Sequence, residues 1–220
     1  MTMPDYLAEV RHAVEGLLPL IWKEQDALSD IERQFAERKD ELARLERQVR
    51  DEYTNVAWLE ANGEDWDDDG LATLRRWDNY FGPDKERYHL SHQLPGLQAA
   101  VESLQASVEA HRFSVGVLAS AVIQIAKQGL ALVHGGKPTA AGRTIGSSRQ
   151  LSEVIWQARN QALHWEEQSF RTQVVDCFTT LANEVDQVFG DYRSRNMALD
   201  VIKELGWFTF GNLEGDLLTL

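Results

Sequence analysis

An all-α fold is predicted by three features of this 220-residue chain. Apolar residues recur at three- and four-residue spacing through most of its length, the stripe of an amphipathic helix. Glycine and proline, 15 and 5 in number, are too few for a linker-rich or disordered chain. Phe35, Leu42, Val49 and Val56 recur every seven residues, with Ile31, Leu45 and Leu59 on the complementary position. The architecture expected is a helical bundle with a long helical-hairpin extension.

Taken in order, residues 4–27 carry Leu7, Val10, Val14, Leu17, Leu18 and Ile21 on one face, and Pro19 is expected to kink or interrupt that helix. Residues 30–61 hold the heptads, and Arg38 and Glu52 in the seam favour a partner helix within the chain over a uniform zipper. Residues 62–95 are irregular, an insertion or helical tip containing EDWDDDG. A long helix follows from Leu97 to His134, its second half rich in Ala, Val and Leu and therefore the most buried element. Gly135 and Gly136 end it, and a Gly-, Ser- and Thr-rich loop runs to residue 147. Ser147 with Gln150 resembles a capping box opening a helix to Gln168. Further helices are expected over Phe170–Phe189 and Met197–Leu205, and Trp207–Leu220 reads as a short strand or irregular tail. The chain is taken as one globular unit with two parts. Residues 1–96 hold the N-terminal helices, the heptad arm and the insertion, and residues 97–220 form a helical domain.

The net charge of −13 and a pI near 4.9 argue against a protein coated in basic surface for duplex DNA. The charge is uneven: residues 135–160 hold Lys137, Arg143, Arg149 and Arg159 against one acid, Glu153. A local positive site on an acidic body suits an anion pocket. The lone Cys177 excludes an internal disulfide framework and any CxxC zinc site. Asp5, Glu9, Arg11 and Glu15 interrupt the apolar run a signal peptide needs, and Gln124, Lys127 and Gln128 break the stretch Val115–Val133. The expectation is a cytoplasmic protein with no membrane partner.

Chemistry is most concentrated in Ile155–Glu167, IWQARNQALHWEE. Arg-x4-His is a weak pattern by itself, and Arg87 with His92 repeats it outside any helical stripe. Around Arg159 and His164 the context differs. Leu151, Val154, Ile155, Ala158, Ala162 and Trp165 project to one side, at roughly 100° per residue. Trp156, Asn160, Leu163, His164 and Glu167 gather roughly opposite, a mixture suited to a second interface. Asn160 and His164, four apart, are expected to hydrogen-bond and fix the imidazole, while Arg159 reaches from the flank toward a phosphate.

These residues, RNQALH after a Gly-rich basic loop in an all-helical chain, resemble the HEPN superfamily. Its signature is an Arg, usually followed by Asn or another polar residue, then a His four to six residues on. The resemblance covers about residues 97–205, and residues 1–96 match nothing comparable. It implies a HEPN-like bundle in which Arg159 and His164 are catalytic and Asn160 holds the polar position. It further implies a homodimer that pairs two motifs into an endoribonuclease site without metal or cofactor. The substrate would be RNA, and the role that of a toxin or antiviral defence effector, with room for an antitoxin or regulatory partner. Glu166 stands where one toxin subgroup has Tyr, so that subgroup's extended motif is absent.

The chemistry implied suits these residue types. Attack by the 2′-hydroxyl needs a base near neutral pH, an acid for the 5′-oxygen and positive charge on the phosphorane. Histidine suits the proton transfers, and arginine holds phosphate oxygens. Lys137, Arg143 and Arg149 are candidate contacts to RNA phosphates, with a solvated loop as the alternative. The alternative for the whole protein is a non-catalytic helical interaction or scaffold module. Asp65, Asp67, Asp69 and Gly70 mimic half an EF-hand, but Arg76 stands where a bidentate Glu belongs. Cys177 is expected as a buried small apolar residue.

Overall fold

The structure, a computed structural model, describes residues 1–62 (side chains to Asp51), 88–136 and 142–220. The acidic EDWDDDG segment and Lys137 lie outside the described residues. Those described form an all-α fold whose strands are one two-residue pair.

Helix α1 spans Met3–Asn62 and runs through Pro19, so the proline does not interrupt it. The ring removes one backbone donor, but Val14, Leu18 and Ile21 are buried on both sides of it, and their burial holds the helix together. After a π-helical turn at His89–Gln93, α2 runs Leu94–His134.

Two compact units are present: Met1–Ala27 with His111–Leu220, and Leu28–Ala110. The start of α1 belongs with the C-terminal helices in the first of these. Leu7, Val14, Leu18 and Ile21 of α1 share a core with Ala119, Val122, Ile123, Ala126 and Leu130 of α2. Tyr6 donates its hydroxyl to the Ile125 carbonyl across 2.7 Å. In the second unit α1 and the start of α2 line a groove of about 560 Å³ holding Arg38, Arg44, Leu45 and Leu97.

The stretch His89–His134 is long and apolar enough to cross a membrane, and 44% of its most apolar window is buried inside the fold. The Ala-, Val- and Leu-rich half of α2 is buried along one face only, and the helix Leu151–His164, not this one, has the larger buried share.

The loop entering the next helix is a tight hairpin of β1 (Thr144–Ile145) and β2 (Arg149–Gln150), paired antiparallel. Gly146 turns it at φ 64°, a left-handed conformation glycine adopts freely. The expected Ser147–Gln150 capping box does not form. The Ser147 amide and the Ser148 hydroxyl instead donate to Glu184, and helix α3 starts later, at Leu151–His164. Its first amide, that of Leu151, donates to the Arg143 carbonyl.

Helix α4 covers Thr172–Glu184, shorter than the predicted Phe170–Phe189. Asp186 caps a 3₁₀ segment, Gln187–Arg193, whose Phe189 and Tyr192 pack on Phe178. Helix α5 is Ala198–Leu205, closed by Gly206 at φ 70°. The tail expected as strand or irregular forms α6, Phe210–Leu217. Thr209 and Asn212 make a reciprocal capping box, and Phe210, Leu213 and Leu217 are buried at helical spacing. Cys177 is fully buried, as expected.

Candidate functional site

Helix α3 presents two faces. Leu151, Val154, Ile155, Ala158 and Ala162 are buried in the core. Gln161 is also fully buried, and its amide nitrogen donates to the carbonyls of Tyr192 and Arg195 while its oxygen accepts from the Met197 amide. This one side chain fastens the segment leading to α5 beneath α3, satisfying three backbone groups at once.

The sequence-predicted pair leaves the helix in two directions, Arg159 from the flank toward α2 and His164 away from the core. Arg159 is half-buried, and its Nε donates to Gln124 Oε1 of α2 at 2.8 Å. One terminal nitrogen lies 3.4 Å from Asn160 Oδ1. Asn160 in turn donates to Gln157 Oε1 at 3.3 Å. Arg159 is thus aimed by neutral amides, and no carboxylate lies within ion-pair distance of it among the described residues. A guanidinium so held is oriented without being neutralised, which leaves its charge for an external anion.

His164 ends α3 and is exposed. Its Nδ1 lies 2.9 Å from Glu167 Oε1 on the following 3₁₀ turn. That contact replaces the expected bond from Asn160, whose amide is engaged by Gln157 and Arg159. With Nδ1 facing the carboxylate, Nε2 is the nitrogen left for chemistry. Arg159 and His164 thus project about 140° apart around α3, at roughly 100° per residue, with Arg159 tied to α2 and His164 tied to the turn beyond.

Lys127 of α2 lies over the Trp156 ring, 4.3 Å from its centroid. With Gln124 against Arg159, residue numbers on α2 fall as those on α3 rise, so the two helices run antiparallel here. Phe113 (63% exposed) and Val117 (50%) of α2 and Leu163 (52%) of α3 stand open. Sequence reasoning singled out Trp156 and Leu163 but missed Gln124 and Lys127. Their partners lie about thirty residues away along the chain, and no local spacing marks them.

The other predicted cations are engaged within the fold. Arg143 pairs with Asp216 at 2.8 Å and donates to the Leu205 carbonyl. Asp216 also accepts from the Trp207 indole. Arg149 contacts Glu153, Asp176 and the Thr180 hydroxyl. Both arginines brace the hairpin and its neighbours, so neither charge stands open as Arg159 does. Among the described residues no group of three His, Cys, Asp or Glu side chains is arranged to hold a metal ion.

Comparison with family models, with curated proteins and with solved structures returned no match.

Proposed function

We propose that this protein is a HEPN-type endoribonuclease that cleaves RNA by internal attack of the 2′-hydroxyl, working as a homodimer. The observation carrying this reading is Arg159, a guanidinium positioned by Gln124 and Asn160 and left without a carboxylate among the described residues, on the same helix as an exposed imidazole. Such a cation favours an anionic ligand, and phosphate oxygens match its geometry.

In the proposed reaction the 2′-oxygen forms a bond to phosphorus while the bond to the 5′-oxygen breaks. One His164 takes the 2′-hydroxyl proton on Nε2, and the protonated His164 of a second protomer gives a proton to the leaving 5′-oxygen. Arg159 stabilises the extra negative charge on the phosphorane. Glu167 holds Nδ1 and so fixes the imidazole for both tasks. One protomer supplies a single imidazole on this helix, which is why the scheme requires two. Exposed Leu163, next to His164 in the chain, supplies apolar surface for that association.

Wild type, Arg159→Ala and His164→Ala protein, incubated with bulk RNA, provide the test. Cleavage by wild type in EDTA, with 2′,3′-cyclic phosphate and 5′-hydroxyl ends, and its loss in both variants while the dimer persists, supports the reading. Intact RNA with wild type, or full dependence on an added divalent ion, overturns it.

A further inference from the structure

Trp156 and Lys127 have no part in the proton transfers. The indole is half-buried, one helical turn before Asn160, and the ammonium lies over it. No carboxylate lies within ion-pair distance of Lys127 among the described residues. Elsewhere in the same unit, Arg11, Arg143, Arg149 and Arg195 are each matched by an acid. The sequence around these residues is short of acids too. Between Glu109 and Glu166 the sole acidic residue is Glu153, held by Arg149, while Arg112, Lys127, Lys137, Arg143, Arg149 and Arg159 all fall in that interval. On a chain of net charge −13, Lys127 and Arg159, each held by α2–α3 contacts without an internal anion among the described residues, mark a place for an anion from outside.

The neighbouring aromatic ring narrows the class of anion. A bare phosphate or an acidic peptide has no use for an indole, whereas a nucleotide carries a π-face and a negative charge together. We propose that Trp156 and Lys127 form a nucleotide subsite, the indole stacking one base of single-stranded RNA and the ammonium contacting its phosphate. Lys127 and a base are drawn to the same π-face, so the ammonium leaves the ring for the phosphate as the base arrives. Trp156 and Arg159 are about 4.5 Å apart along the helix axis, from 1.5 Å per residue. The subsite therefore registers the strand one nucleotide from the phosphate held by Arg159. Stacking tolerates every base, so the subsite contributes affinity and strand register, with a preference for unpaired RNA. This inference takes the identity of the polymer from the ribonuclease reading above.

The experiment measures binding of a fluorescent eight-nucleotide single-stranded RNA to His164→Ala protein by anisotropy over a range of salt. Adding Trp156→Ala should weaken binding on the order of ten-fold with the salt slope unchanged, and Trp156→Phe should restore most of it. Adding Lys127→Ala should lower the salt slope by about one. Melting temperatures of all four proteins separate loss of binding from loss of fold. Equal affinity for Trp156→Ala and its parent overturns the proposal, as does equal weakening by Ala and Phe in folded proteins. The two readings fail separately. Cleavage by wild type with a KM indifferent to Trp156→Ala removes the subsite alone. Trp156-dependent binding without any cleavage by wild type removes the nuclease alone. A parent that binds no RNA removes both.

Discussion

Arg159 of α3 donates to the side-chain oxygen of Gln124 on α2 across 2.8 Å, so a neutral amide aims a full positive charge. Replacing that amide with a carboxylate of the same shape keeps the hydrogen bond and cancels the charge. Gln124→Glu is therefore expected to leave the melting temperature unchanged or higher, because a half-buried ion pair replaces a neutral contact. If RNA is the ligand, as proposed above, it should nonetheless weaken RNA binding about ten-fold or more at moderate salt. Anisotropy titrations beside thermal melts check this, and undiminished binding would separate Arg159 from phosphate recognition.

Gln161 is the polar anchor under the same helix. Gln161→Leu keeps volume near constant but strands two carbonyls and one amide that the side chain now satisfies. The cost should be about 3 kcal/mol, from about 1–3 kcal/mol for each buried group left unpaired, partly relieved by water. Urea denaturation should register it as a lower midpoint with the slope retained.

Gly129 of α2 lies against the Tyr6 ring of α1. A methyl group there would lie 2.5 Å from Tyr6 Cε1 and 2.7 Å from Cδ1, and the Tyr6 ring is itself buried and tied to Ile125. Gly129→Ala should lower stability by about 1–3 kcal/mol despite the better helix propensity of alanine. Combining it with Tyr6→Leu should recover part of the loss, and a double-mutant cycle reads the coupling.

Glu184 links the hairpin to the end of α4. Hydrogen bonds from Ser147, then from Ser148, hold its carboxyl below the ordinary value of 4.5. A depressed folded pKa gives stability that is present above 4.5 and fades as pH falls through the folded value. Wild type should therefore melt above Glu184→Gln near neutral pH, and the two curves should converge in acid. Parallel curves at every pH would mean the charge plays no part.

Much of this architecture was legible from local spacing. The buried face of α3 and the apolar half of α2 follow directly from residues three and four apart. What escaped depended on partners distant in sequence. Ser147 and Ser148 read as a helix cap, but Glu184 claims both. Asn160 was assigned to His164, yet Gln157 and Arg159 compete for its amide and Glu167 reaches the imidazole first. The final helix was missed because its box uses Asn212 where Glu or Gln is the usual signal. Pro19 misled through its intrinsic preference, which the packing of its neighbours overrides.

The hold of Asp216 on Arg143 and Trp207 has a consequence during synthesis. The ribosome delivers the hairpin ahead of α3 some seventy residues before the acid that braces it. Until that acid emerges, the strand pair that leads into α3 has no lock on this side, and the Trp207 indole has no acceptor. The last turn of the chain is thus what fixes a loop made long before it.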